Sequence, residues 1–294
     1  MTDRTFPPSA IIKTTKGTFH VTITPYTNRN SGRIENYFVS IGSRKNKCIQ
    51  IDVPLIGSTG KLSWVKKVNN ECVMEHKHGE SLTKFVVDLA FTIARDINPL
   101  CTKYEFDDTS SFDCLLPDNI KANMPMKHFY IAFHGSTWYE YHFGAKLQKD
   151  HEKYMRLKLN LYDPFHKPPH FNFLKEDLQE ELEDLYKSSR TWHDFFQAIA
   201  IKYKNKKCAA VYRWLNDALL TIFDLDLIYD YPKWYIDLED NEKHTLTPLV
   251  PFVSYKDTLR GGTRKKKDIY VGIPKYYINV PEVNKLDFKK FLRF

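Results

Sequence analysis

From Phe19 onward, apolar and polar positions alternate. Phe19, Val21 and Ile23 form one set, Tyr37, Val39 and Ile41 a second, and Ile49, Ile51 and Val53 a third. Residues 62–68 and 72–74 flank Asn69-Asn70, a pair suited to a tight turn. A period of two puts successive side chains on opposite faces of a strand, so this stretch predicts an antiparallel meander. The period then lengthens. Leu82, Phe85, Val86, Leu89, Ala90, Ile93 and Ala94 recur at the spacing of one helix face, with Gly79 and Ser81 before them and Asn98-Pro99 after.

Residues 103–107 read as a short strand, 108–126 as a polar loop with Pro117 and Pro125, and 128–141 as a second helix. After Pro164, Pro168 and Pro169 come three helical stripes. Leu174, Leu178, Leu182 and Leu185 make the first; Trp192, Phe195, Phe196, Ile199, Ala200 and Tyr203 the second; Val211, Leu215, Ala218, Leu219 and Ile222 the third. Thr191 followed three residues later by Asp194 is a capping pattern. The fold class is therefore α+β: a mixed, mostly antiparallel sheet, a strand–loop–helix core and an appended helical region. The expected division is a core over 1–165, a helical subdomain over 166–230 and a C-terminal extension over 231–294 with a basic loop at 260–267.

Composition narrows the class. At 294 residues with 42% hydrophobic and 15% aromatic content, the chain can build a sizeable core and is not a disordered type. It has no apolar run of membrane-spanning length and no apolar leader at its start, so neither a membrane partner nor secretion is expected. The net charge of +8 favours anionic partners such as nucleic acid or a phosphate-bearing cofactor. Five cysteines without a C-x-x-C pair speak against a disulfide scaffold or a zinc ribbon and for an intracellular, reducing compartment. Cys48 and Cys72 are then expected to be small buried hydrophobes. His76, His78, His134, His142, His166 and His170 show no ligand spacing, so they read as turn or solvated histidines and no metal is expected.

The chain lacks the glycine-rich phosphate loops, the H-E-x-x-H pair and the G-x-S-x-G elbow. What remains is the loop Lys77, His78, Gly79, Glu80 and Ser81, which opens directly into the strong helix. A helix start offers backbone N–H groups and a positive dipole end to a phosphate, and Gly79 allows close approach. Glu80 competes for the same positive end.

The order meander, phosphate-type loop, long helix, short strand, helix resembles the core of the GNAT family of N-acetyltransferases. The family's R/Q-x-x-G-x-G/A loop corresponds to His76-x-x-Gly79-x-Ser81, and its A-x-x-x-Y-E-x-x-G-F helix to the stretch from Ser136 to Ala145. The likeness covers roughly residues 46–147 and departs in having His76 at the Arg/Gln position. It implies acetyl-CoA or CoA as cofactor and an amine or protein acceptor. Backbone groups of 72–75 would pair with the pantetheine arm and Lys77, His78, Gly79, Glu80 and Ser81 would hold the pyrophosphate. Tyr139 would protonate the leaving thiolate, and Glu75 or Glu71 would take the amine proton. The Lys/Asn/Tyr/Phe-rich texture also resembles proteins of nucleocytoplasmic large DNA viruses, which implies host cytoplasm or virion. The alternative is a non-catalytic structural or nucleic-acid-associated protein using the same fold. Its contacts would come from Arg260, Arg264, Lys265, Lys266 and Lys267, with Arg190, Lys202, Lys204, Lys206 and Lys207 beside Tyr203 and Tyr212. Trp192, Phe195, Phe196 and Trp214 could form a protein interface but read better as core.

Overall fold

The structure is a computed structural model that describes residues 9–13, 17–66, 72–76, 82–115, 121–168, 179–202, 215, 218–219, 222–223 and 232–239. The fold is α+β, with a mixed, mostly antiparallel sheet and helices. Two compact units are present: residues through Phe106 together with those from Ile236, and Asp107–Tyr235. Contacts thus divide the chain near 106 and 236, where the sequence pattern suggested 165 and 230. Among the described residues, no helix is long and apolar enough to cross a membrane.

In the first unit β1 (Ser9–Lys13), β2 (Gly17–Thr27), β3 (Ile34–Gly42), β4 (Lys47–Pro54) and β5 (Thr59–Val65) follow one another in the sheet, every consecutive pair antiparallel. The alternating apolar residues are the buried ones: Phe19, Val21, Ile23, Val39, Ile41, Ile49, Ile51, Val53 and Leu62. This is the expected meander, preceded by a first strand whose apolar run, Ala10-Ile11-Ile12, was too short to stand out. A strand expected at 72–74 is instead a two-residue bridge, β6 (Glu75–His76), which pairs with Gly17–Thr18 of β2. Helix α1 (Thr83–Ile97) packs on β3 and β4 and leads to β7 (Lys103–Asp107), parallel to β5.

In the second unit β8 (Ser111–Leu115) and β9 (Lys121–Pro125) form a hairpin where the polar composition suggested a loop. The helix expected over 128–141 is two helices, α2 (Met126–His134) and α3 (Trp138–Phe143). Gly135 at φ 68° closes the first, and the Thr137 side chain caps the second. Then follow β10 (Lys146–Leu147), α4 (His151–Leu159), a 3-10 turn at Pro164–His166, α5 (Gln179–Ser188), α6 (Trp192–Lys202) and β11 (Lys233–Asp237), whose Trp234 and Tyr235 pair with β10. The cap at Thr191 forms as expected: its Oγ1 accepts from the Asp194 amide at 3.0 Å. Trp192, Phe195, Phe196 and Ile199 are buried, with Tyr186 of α5 edge-on to Trp192 and Phe195. These aromatics are core. Of the third stripe, Leu215, Ala218, Leu219 and Ile222 are described, and all are buried. Leu174, Leu178, Tyr203, Val211, Tyr212 and Trp214 lie outside the described residues.

One expectation is corrected. Cys48 and Cys72 are not separate thiols but a disulfide, with Cα atoms 5.7 Å apart. Cys48 lies at the start of β4, and the run into β6 brings Cys72 back beside it after a separation of 24 residues. No short-range cysteine motif marks such a pair, because the sheet rather than the spacing brings the sulfurs together. Closing a loop of this length stabilises by about 3 kcal/mol through the unfolded chain. Denaturant unfolding with and without a thiol reductant is expected to show that difference, and Cys72→Ala should abolish it. Equal midpoints would mean the two sulfurs are not joined.

Candidate functional site

Each unit contributes one locus. In the first, β5, α1 and β7 make a parallel crossover within an otherwise antiparallel sheet. The β5–β7 ladder is short: Thr59↔Lys103, Gly60↔Tyr104 and Lys61↔Glu105. Close approach at its middle requires a glycine, since a Cβ on Gly60 would meet the Asp52 carbonyl oxygen at 2.7 Å and the Tyr104 ring at 2.8 Å. β5 continues to Val65 and β7 to Asp107, so among the described residues the ladder ends while both strands run on. α1 starts at the same, carboxyl-terminal side. Its N-cap residue is Leu82, which makes no side-chain cap bond, and no acid occupies its first turn. Lys84 in that turn meets Asp88 at 2.7 Å. Among the described residues, then, no carboxylate within the first turn and no Leu82 side-chain bond offsets the positive end of this 15-residue helix.

The approach to α1 is held at two points: the Cys48–Cys72 bond, and β6 on β2, where the Met74 amide also donates to the Thr18 carbonyl at 2.8 Å. Glu75 lies in this bridge, opposite Thr18. Backbone groups of 72–75 expected to receive a pantetheine arm are thus partly engaged by β2. Lys77, His78, Gly79, Glu80 and Ser81 fall between β6 and α1, outside the described residues, as do Glu71, Arg260, Arg264, Lys265, Lys266 and Lys267.

The second locus surrounds α3. Thr137 and Glu140 form a reciprocal capping box: the Glu140 amide donates to Thr137 Oγ1 at 3.2 Å, and the Thr137 amide donates to Glu140 Oε2 at 2.7 Å. The same carboxylate accepts from the Tyr154 hydroxyl at 2.7 Å and from Lys158 Nζ at 2.9 Å, both on α4. One buried side chain thus caps α3 and ties it to α4. Tyr139, the general acid that the resemblance implied, is buried on α3, edge-on to Trp138. Burial, and then the nearby charge of Asp108, push its phenol far above the usual range. It stays protonated, as a proton donor must before transfer.

Asp108 is itself buried and accepts at Oδ1 from the amide and hydroxyl of Ser110; burial raises its pKa despite those bonds and Lys127. Lys127, buried in the first turn of α2, is lowered by burial, with Asp108 opposing the shift. Sequence reasoning passed over Asp108, Lys127, Tyr154 and Lys158. Only the Thr137-x-x-Glu140 pattern was readable locally; the partners on α4 lie 14 and 18 residues away. Tyr139 and Glu75 belong to different units. Among the described residues, no group of three or more His, Cys, Asp or Glu could hold a metal ion. Comparisons of the chain with protein-family models, with curated proteins and with solved structures return no match.

Two outcomes follow from the α3 locus. Glu140→Gln leaves the Lys158 ammonium largely buried without its carboxylate and is expected to cost about 3 kcal/mol. Adding Lys158→Met should restore most of this in urea unfolding; a neutral single variant would mean the pair contributes little. His151, on α4, accepts the Leu147 amide through Nδ1 at 3.2 Å, and its pKa is lowered from 6.5, chiefly by burial. The unfolded chain therefore takes up this proton first. The contribution is full above pH 6.5 and lost as pH falls toward the folded-state value. Between about pH 7 and 5, His151→Leu should melt with a shallower pH slope than the parent chain; an unchanged slope would remove His151 as the cause.

Proposed function

We propose that the chain is an acyl-CoA-dependent N-acyltransferase acting on an amine acceptor, with a GNAT-like core. The observation that carries this reading is the β5–α1–β7 crossover: two parallel strands whose ladder, among the described residues, stops at Lys61↔Glu105, beside the start of a 15-residue helix whose N-cap residue, Leu82, makes no side-chain bond. Ligands of open sheets with parallel strands favour the carboxyl ends of those strands, and phosphates favour helix N-termini. An amide-bearing arm could add along the β5 edge past Lys61, as an extended peptide adds to a strand. On this reading the arm would lie along residues 62–65 of β5 rather than along 72–75. The loop Lys77 to Ser81 would hold the pyrophosphate.

The chemistry balances simply. The acceptor nitrogen forms a bond to the thioester carbonyl carbon, and the carbon–sulfur bond breaks. Glu75, in the unit that carries the crossover, takes the proton leaving the nitrogen, and solvent returns one to the departing thiolate. The acceptor is an amine on a small molecule or a protein. Acyl-CoA is made inside cells, so the enzyme would act there, where Cys48–Cys72 meets thiol reductants.

Thermal unfolding with CoA and with acetyl-CoA tests this reading. At a hundredfold excess over the dissociation constant, binding stabilises by about 2.7 kcal/mol. For a chain of this size that is a rise of roughly 5–10 °C. Gly79→Glu should remove the rise by placing a carboxylate in the phosphate loop. No rise with either ligand at saturation would overturn the proposal.

A further inference from the structure

Five large apolar side chains are exposed at one end of the first unit's sheet: Tyr26, Ile34, Leu55, Ile56 and Leu100. The ladder brings them together. Thr27 pairs with Ile34, and Asn36 pairs with both Tyr26 and Pro54. The Leu55 amide donates to the Glu35 carbonyl at 2.7 Å, which sets the β4–β5 turn against the start of β3. The turn after α1 joins them through one buried side chain. Asn98 Nδ2 donates to the carbonyls of Pro54 at 2.9 Å and Gly57 at 2.8 Å, and its Oδ1 accepts the Leu100 amide at 3.0 Å. Ile56 is 81% exposed and Leu100 73%.

Three features set this tip apart from scattered surface apolar residues. It is held in place, since Asn98 ties two turns together. It is uncharged at its centre, with no acidic or basic residue in 54–60 or 97–102. It is flanked by exposed cations, Arg29 and Arg33 in the β2–β3 turn, while the nearby Glu35 accepts from Asn28 Nδ2 at 2.6 Å.

We propose that this tip docks on an anionic lipid surface. Leu55, Ile56 and Leu100 would enter the acyl boundary, and Arg29 and Arg33 would meet the headgroup phosphates. Cations beside an uncharged apolar centre fit an anionic lipid surface, and the backbone is compatible with it. A turn entering hydrocarbon must have its polar groups satisfied internally. Here Asn98 takes the Pro54 and Gly57 carbonyls, and the Ser58 carbonyl accepts the amides of Thr102 and Lys103 at 3.1 and 3.0 Å. Docking of this kind needs no spanning helix. The tip lies at the amino-terminal end of β5 and β7, away from the carboxyl ends used in the proposed reaction, so the two readings can fail separately.

Cosedimentation of the full chain with phosphatidylcholine vesicles, with and without about 30 mol% phosphatidylserine, tests the proposal. Binding to the anionic vesicles is expected, and it should weaken at least tenfold in an Ile56→Ser, Leu100→Ser double variant. Arg29→Gln with Arg33→Gln should reduce both the affinity and its dependence on salt. These side chains are exposed, so an unchanged melting temperature will show that each variant is folded. In Ile56→Trp, emission should shift to the blue on anionic vesicles. Three results would overturn the inference: no sedimentation with either vesicle, a double variant that binds like the parent chain, or no shift of the added tryptophan.

Discussion

A strand that leaves an antiparallel meander and returns parallel must cross over a sheet face, and α1 is the element that makes this crossing in the first unit. The helix packs on β3 and β4 with Phe85, Val86, Val87, Leu89, Ala90, Phe91, Ile93 and Ala94 all buried. Its burial extends to polar side chains. Asp88, Thr92 and Asp96 are buried as well, Thr92 donating its hydroxyl to the Asp88 carbonyl at 2.9 Å. Burial raises the Asp88 carboxyl, while Lys84 opposes the shift. A helix covered nearly all round tolerates little change of register, so its two ends are fixed in place. One end lies at the carboxyl-terminal side of the β5–β7 ladder. The other delivers Asn98 to the turns it clamps.

The second unit is organised by charge in a low-dielectric setting. Glu140 receives the Thr137 amide, the Tyr154 hydroxyl and the Lys158 ammonium, which compensates the desolvation of its carboxylate. Around it lie Asp108, raised by burial, and Lys127, lowered by burial. Such a concentration of shifted groups costs stability. Tyr139 sits on the helix that Glu140 caps, so the network sets the orientation of that phenol whichever role it serves.

The two ends of the first unit's sheet differ in character. Helix start and disulfide-held approach gather at the carboxyl ends of β5 and β7, where among the described residues the ladder stops before either strand does. The opposite end is apolar, clamped by Asn98 and flanked by arginine. Both follow from the same crossover, since a parallel return puts the helix start and the helix stop at opposite ends of the strands they join.

The sequence alone determined the elements whose signals are local. The alternation from Phe19 to Leu62 specified the meander, the 3–4 spacing from Leu82 to Ala94 specified α1, Asn98-Pro99 marked its stop, and Thr191 with Asp194 marked the start of α6. The tertiary structure decided what depends on residues meeting across long separations. It split the helix expected over 128–141 at Gly135, turned a polar loop into the β8–β9 hairpin, and joined Cys48 to Cys72. It also gathered Glu140, Tyr154 and Lys158, and assembled an exposed apolar tip from three turns. The physical reason is range: hydrophobic period and capping act within a few residues, whereas disulfides, buried ion pairs and surface patches are set by which strands and helices pack together.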